Sequence, residues 1–125
     1  MEKNILIVDD SPTMRASLSF CLTNAGYTVF EAVDGKDGLA KLREVEAQEK
    51  LPALIIADIN MPKMDGITFI TEVKQTDWKF IPILVLTTES QDEQKMRGRS
   101  AGAAGWLLKP FRPEELLWVV KKFVR

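Results

Sequence analysis

Short apolar segments alternate with longer segments in which apolar residues recur at helical spacing. The short segments are mostly uninterrupted, which is typical of strands covered on both faces. They span residues 5–8, 27–32, 54–57, 83–86 and 104–108. The second contains Thr28 and Glu31, so we expect it at an edge of the sheet. This alternation predicts an α/β fold with a parallel sheet, right-handed crossovers and helices on both faces.

Capping residues mark the ends of the predicted helices. Ser11 followed by Pro12 predicts the start of the first helix, and Asp34 can cap the second. The five helices are expected to start near residues 12, 35, 66, 91 and 113. The fourth, over residues 91–101, is polar and carries Gly98 in its interior, at a cost of about 1 kcal/mol relative to Ala. It is therefore predicted to be the least stable helix.

Length and composition favour a single globular domain. The 125 residues suffice for one core, and 46% hydrophobic and 28% charged residues are ordinary values. The chain lacks a membrane-length apolar run and a signal-peptide pattern. We therefore predict one cytoplasmic domain over residues 1–125, monomeric and without an output domain. With a net charge of −1, nucleic acid and membrane are not expected as partners.

Two residue types restrict the chemistry. Cys21 is the single cysteine, so an internal disulfide is excluded and a reducing compartment fits. Histidine is absent, which excludes Ser-His and Cys-His catalysis, histidine-ligated zinc and a phosphohistidine carrier role.

Polar residues stand where four of the apolar segments end. They are Asp9, Asp10, Asp58, Thr87 and Lys109. Parallel strands end at the same edge of a sheet, so these residues should converge on one crevice. Three carboxylates and one ammonium leave a net charge of −2, which one divalent cation would balance. Ligands that are all oxygen favour Mg²⁺ over Zn²⁺.

Each of these residues also has an ordinary interpretation. Asp9 and Asp10 could cap the first helix, Asp58 could belong to a turn, and Lys109 could be a surface lysine. Ser11 and the following proline already start the helix, and two adjacent acids after an apolar strand are costly without a counter-ion. The joint placement of the residues favours a functional site.

The motifs around these residues resemble the receiver domain of two-component response regulators. The matching stretches are Val-Asp-Asp-Ser at 8–11, Ala-Asp-Ile-Asn-Met-Pro at 57–62, Met-Asp-Gly at 64–66, Leu-Thr-Thr-Glu at 86–89 and Leu-Lys-Pro-Phe at 108–111. Residues 13–15 and 105–111 are similar to the stand-alone chemotaxis regulators of the CheY type. The resemblance covers the whole chain and implies a doubly wound, flavodoxin-like (βα)5 fold with strand order 2-1-3-4-5.

The resemblance implies a role for each acidic residue. Asp58 would accept a phosphoryl group from a phosphohistidine of a sensor histidine kinase. Mg²⁺ would be held by Asp10, Asp58 and the backbone carbonyl of Asn60, with Asp9 assisting through water. Such a transfer depends on positioning and charge neutralisation.

A switch is also implied by the resemblance. Lys109 would pair with the phosphoryl oxygens, and the Thr87 hydroxyl would donate to them. The bond between Lys109 and Pro110 would be cis, as it is in the family. Thr87 would move inward while an aromatic residue fills the vacated space. Trp106 stands here where the family usually has Tyr or Phe, and its N–H needs a partner when buried. Either Trp106 rotates, or it keeps its place and the fourth helix carries the switch.

Two further positions concern the lifetime of the signal. Asn60 and Glu89 lie two residues beyond Asp58 and Thr87. In the family these positions tune the loss of the phosphoryl group, and polar residues at both predict a short-lived signal.

The last helix carries a candidate partner contact. Trp118 falls opposite the apolar face, among Lys121 and Lys122. It is either an isolated exposed aromatic residue or an anchor for a partner. By resemblance, the partner face comprises the fourth helix, fifth strand and last helix, including Trp106, Trp118, Lys121 and Lys122. The expected target is the flagellar motor switch.

Other functions remain open. A phosphorelay or phosphate-sink receiver would use the same residues. A phosphatase of the haloacid dehalogenase type also has a strand-end aspartate and Mg²⁺, but it needs a second Asp where Asn60 stands. A degenerate receiver would bind partners without phosphate, which the complete set of site residues disfavours. We predict a signalling switch that catalyses only its own phosphorylation and dephosphorylation.

Overall fold

The computed structural model describes residues 3–59, 66–87 and 101–124. Its centre is one parallel sheet with the strand order β2-β1-β3-β4-β5. The strands are β1 (Asn4–Val8), β2 (Thr28–Ala32), β3 (Leu54–Asp58), β4 (Ile83–Thr87) and β5 (Gly105–Leu108). The predicted α/β fold and the strand order implied by the resemblance are both confirmed.

Four helices belong to the described residues. They are α1 (Pro12–Asn24), α2 (Gly35–Ala47), α3 (Gly66–Lys74) and the C-terminal helix (Pro113–Phe123). The predicted caps are confirmed, because Ser11 Oγ accepts the Met14 N–H at 3.2 Å and Asp34 Oδ1 accepts the Asp37 N–H at 2.8 Å. The predicted fourth helix, with Gly98, lies outside the described residues except for Ala101. None of the helices in the described part is long and apolar enough to cross a membrane.

Helices cover the sheet on both faces and create two cores. α2 and α3 pack on one face, where Phe69 is completely buried. α1 and the C-terminal helix pack on the other, around Leu22 and Leu116. All residues of β1, β3 and β4 are buried, whereas β2 is partly exposed, as expected for an edge strand. The central strands therefore form a rigid support for the polar residues at their carboxyl ends.

Candidate functional site

The carboxyl edge of the sheet gathers the three predicted acidic residues. Asp9 and Asp10 follow β1, and Asp58 ends β3. Their carboxylates offer oxygen atoms that all lie within 4.8 Å of one another. Asp9 is 1% exposed and Asp58 7%, whereas Asp10 is exposed. The cluster is therefore closed on the side of the sheet and open to solvent at Asp10.

Lys109 joins this cluster from the end of β5. Its Nζ lies 3.5 Å from Asp58 Oδ2 and 3.7 Å from Asp9 Oδ2. Its backbone N–H donates to the Thr87 carbonyl oxygen at 2.7 Å, which ties it to the end of β4. The Lys109–Pro110 bond is cis, as the resemblance implied. The five strand-end residues of the sequence prediction thus lie at one edge, with one ammonium placed between two carboxylates.

Burial dominates the electrostatics of Asp9. It raises the pKa of the Asp9 carboxyl above its ordinary value, and the charges of Asp58 and Asp10 act in the same direction. The hydrogen bond from the Ser11 N–H to Oδ1, at 2.8 Å, and the Lys109 charge lower the pKa but do not offset the burial. Asp9 is therefore a buried carboxylate whose negative charge is not fully compensated by the neighbouring Lys109 ammonium.

The donor set fits a hard divalent cation. Asp9 Oδ2 is buried and receives no hydrogen bond within the described residues, since Lys109 Nζ is too distant to donate one. Carboxylate oxygens are the ligands that Mg²⁺ prefers. Asp9, Asp10 and Asp58 could therefore hold it. Asn60, whose carbonyl the resemblance assigns to this site, lies outside the described residues, as does Glu89.

Two contacts of the site were not foreseen from the sequence. A Cβ on Gly66 would lie 2.5 Å from the Asp58 carbonyl oxygen and 2.6 Å from Ile59 Cα, so α3 starts directly against the end of β3. Arg15 Nη1 donates to the Asp9 carbonyl oxygen at 2.6 Å. Gly66 belongs to the Met-Asp-Gly stretch of the resemblance and Arg15 to the stretch at residues 13–15, but neither stretch indicated these contacts.

The predicted switch residues lie on neighbouring strands, Thr87 in register with Leu108 and Trp106 with Val85. Thr87 is 1% exposed at the end of β4. Trp106, on β5, is half-buried and packs against the core between the sheet, α2 and α3. Its indole N–H is buried, and it has no acceptor among the described residues. Trp106 thus contributes to the core on one face of the sheet.

The predicted partner residues of the C-terminal helix lie on its solvent side. Trp118 is 65% exposed, with Lys122 Nζ 3.7 Å from its ring centroid, and Lys121 is exposed beside them. A groove of about 450 Å³ adjoins this tryptophan. Its lining comprises Leu107, Glu114, Glu115, Trp118 and Val119. Trp106 does not line this groove, because it packs into the core on the opposite face of β5.

Comparison with known proteins agrees with this geometry. The family model of the response regulator receiver domain matches residues 5–121. The structure of chemotaxis protein CheY4 from Vibrio cholerae superposes with a TM-score of 0.89 at 44% identity, covering 99% of this chain and 100% of that one. The receiver domain of sensor histidine kinase PA1611 from Pseudomonas aeruginosa, with a magnesium ion coordinated in its active site cleft, gives 0.83 at 26% identity, covering 98% of each chain.

Relatives are not restricted to chemotaxis. The alkaline phosphatase synthesis transcriptional regulatory protein PhoP from Bacillus subtilis is 37% identical over 125 residues, which is 100% of this chain and 50% of that protein. The chain spans about half the length of several curated relatives that it matches. The shared part is the domain whose strand ends carry the acidic cluster and the lysine. By its match along almost its entire length, the chain belongs to the response regulator receiver domain family.

Proposed function

We propose that this receiver domain takes a phosphoryl group from a sensor histidine kinase onto Asp58 and acts as a signalling switch. The observation that carries the proposal is the position of the Asp58 carboxylate, 3.5 Å from the Lys109 ammonium and within 4.8 Å of the Asp9 and Asp10 carboxylates. Phosphoryl transfer requires a positioned nucleophile and positive charge around the transferred group. Asp58 would be the nucleophile, Lys109 supplies a fixed cation, and the other two carboxylates could help to hold a metal ion.

The chemistry follows from these groups. An Asp58 carboxylate oxygen attacks the phosphorus of the phosphohistidine, the P–N bond breaks, and the imidazole leaves with its electron pair. Lys109 balances the negative charge on the transferred oxygens, and the Thr87 hydroxyl donates a hydrogen bond to them. Bound Mg²⁺ would supply the charge neutralisation that the acidic residues otherwise prevent. The product is an acyl phosphate on Asp58, and no external substrate is turned over.

The conformational response would be carried by the end of β4 and by β5. The backbone hydrogen bond between Lys109 and Thr87 couples the phosphorylated edge to both strands. Trp106 packs beside them, and the surface with Trp118, Lys121 and Lys122 would receive the target. We propose that the regulator is cytoplasmic and monomeric and that it does not bind nucleic acid or membrane. We also propose that its phosphorylated state is short-lived, because the residues at the two tuning positions, Asn60 and Glu89, are polar.

The proposed pathway is chemotaxis, with the flagellar motor switch as target. Support comes from the 44% identity with CheY4, whose chain this one covers completely. The alternative is a phosphorelay or phosphate-sink receiver outside chemotaxis. Relatives such as the transcriptional regulatory protein PhoP support a pathway other than chemotaxis, without indicating which one. Capture of partners on protein activated with beryllium trifluoride, compared with untreated protein, separates these roles. Recovery of a motor-switch protein supports chemotaxis, and recovery of a histidine phosphotransfer protein supports a relay.

A mass measurement tests the phosphorylation. The protein is incubated with a small phosphodonor and Mg²⁺, and its intact mass should increase by one phosphoryl group. Asp58→Asn should abolish the increase, and Asp77→Asn, at an exposed acid, should not. Repeated hydrolysis of a phosphoester would instead indicate a phosphatase of the haloacid dehalogenase type. An absence of any reaction would indicate a degenerate receiver.

A further inference from the structure

Arg15, in the first turn of α1, lies close behind the acidic cluster. Its side chain is only 15% exposed. Nη1 donates to the Asp9 carbonyl oxygen at 2.6 Å, and Nε lies 3.5 Å from Oε1 of Glu31 on β2. We propose that Arg15 is a positioning residue of the magnesium site. This inference rests on the proposed function, because it concerns how the same site is held.

The contact fixes the one peptide plane that joins the first two acidic residues. The Asp9 carbonyl belongs to the peptide bond between Asp9 and Asp10, and that bond is planar. Holding its oxygen therefore restrains the direction in which the Asp10 side chain leaves the backbone. Other groups restrain Asp9 itself, since its N–H donates to the Ala32 carbonyl and its Oδ1 accepts the Ser11 N–H. Arg15 supplies the restraint that extends to Asp10.

A guanidinium suits this position better than an ammonium does. It presents donors in a rigid plane, so one side chain can hold two acceptors in fixed geometry. Here the guanidinium donates to the Asp9 carbonyl oxygen and forms an ion pair with the Glu31 carboxylate. Glu31 pairs with Ile7 across the sheet and orients the guanidinium from the neighbouring strand. Arg15 thus connects α1, β2 and the turn that carries the acidic residues.

Charge and positioning predict opposite effects on metal affinity. Arg15 is a positive charge beside a cation site, so its removal would strengthen Mg²⁺ binding if only the charge mattered. If the residue positions the ligands, its removal weakens binding instead, as loss of groups that orient metal ligands generally does. The direction of the change therefore distinguishes the two roles.

Isothermal titration calorimetry with MgCl₂ provides the measurement. The samples are wild type, Arg15→Gln, Arg15→Lys and the control Arg43→Gln, which removes an exposed guanidinium from α2. Circular dichroism establishes a temperature at which each is folded. We expect Arg15→Gln to weaken Mg²⁺ binding about tenfold. Arg15→Lys should also weaken it, because lysine keeps the charge but cannot hold the Asp9 carbonyl and the Glu31 carboxylate from one rigid plane. Arg43→Gln should match wild type.

Several results would overturn the inference. Unchanged or tighter binding by Arg15→Gln would show that Arg15 acts through its charge or not at all. Wild-type affinity in Arg15→Lys would show that the planar group is unnecessary. This comparison remains valid even if the glutamine variant does not fold. A wild type that binds no Mg²⁺ would refute the proposed function together with this inference, whereas the first two results leave the proposed function intact.

Discussion

Replacement of Asp9 by asparagine should make the protein more stable when magnesium is absent. Asp9 is 1% exposed and lies among like charges, so its ionised form is costly in the folded state. Asparagine has nearly the same shape and keeps an oxygen that can accept the Ser11 N–H. The substitution therefore removes a charge while leaving the turn in place.

The magnitude follows from the distances around Asp9. With an effective dielectric constant of about 20, repulsion from Asp58, which offers an oxygen within 4.8 Å, costs at least about 3.5 kcal/mol. Attraction to Lys109 at 3.7 Å offsets this with about 4.5 kcal/mol. Asp10, screened by solvent, adds a smaller repulsion, so the charges nearly cancel. Dehydration of the Asp9 carboxylate then decides the sign, at a cost of several kcal/mol. The substitution recovers only part of this cost, because the buried asparagine amide is itself imperfectly paired. We expect a net stabilisation of about 1–3 kcal/mol.

The effect should depend on pH in a definite direction. The pKa of Asp9 is raised by folding above its ordinary value of 3.8. The folded state thus binds this proton more tightly than the unfolded state, and the stability this contributes is fully present below 3.8. It is lost as pH rises through the raised pKa. Wild type and Asp9→Asn should therefore differ little in acid and differ fully at neutral pH.

Urea unfolding with EDTA, at acidic and neutral pH, measures this difference. A gain of 1–3 kcal/mol corresponds to an increase in melting temperature of about 4–12 °C for a domain of this size. Magnesium at about 100 times its dissociation constant should add about 2.7 kcal/mol to wild type and less to the variant. The control Asp77→Asn, at an exposed acid, should change stability by less than about 0.5 kcal/mol. A destabilised Asp9→Asn protein, or a gain that is equal at both pH values, would refute the dehydration argument.

Three further predictions concern neighbouring features. Gly66→Ala should lose about 1–3 kcal/mol in urea unfolding and slow phosphorylation, because the new Cβ would press on the Asp58 backbone; wild-type stability would contradict this. Trp118→Ala should weaken target or kinase binding about tenfold or more. The control Phe20→Ala should not, although Phe20 is 71% exposed on another helix. Unchanged affinity of Trp118→Ala for both partners would show that Trp118 is not an anchor. Phosphoryl release, followed by intact mass, should be fast, and a half-life of hours would contradict the role given to Asn60 and Glu89.

The position of each strand along the chain could be predicted because the sheet is covered on both faces. A strand such as β1 or β4 then carries an uninterrupted apolar run, at residues 5–8 and 83–86, and a polar side chain follows each run. The same rule marked Asp9, Asp58 and Lys109 as members of one site. The order of the strands did not follow from this pattern. It depends on which crossovers pass over which strands, and it came from the family resemblance.

Contacts that depend on how two elements are oriented could not be predicted in this way. Arg15 donates to a backbone carbonyl, and every residue offers such an acceptor, so no local pattern distinguishes the partner. Gly66 abuts Asp58 only because α3 starts at one particular angle to β3. The placement of the Trp106 indole depends on the packing of two helices. These features require the three-dimensional arrangement.

The reactive groups and the exposed face of the C-terminal helix occupy separate parts of the molecule. The former lie at the ends of buried strands, whereas Trp118 and Lys122 project from a helix that touches the sheet only through its inner side. Under the proposed function, the partner bound by this face could therefore be changed by substitutions that leave the phosphorylation site intact. An orthogonal signalling route for synthetic biology could start from new outward residues on this helix, on an otherwise unchanged domain.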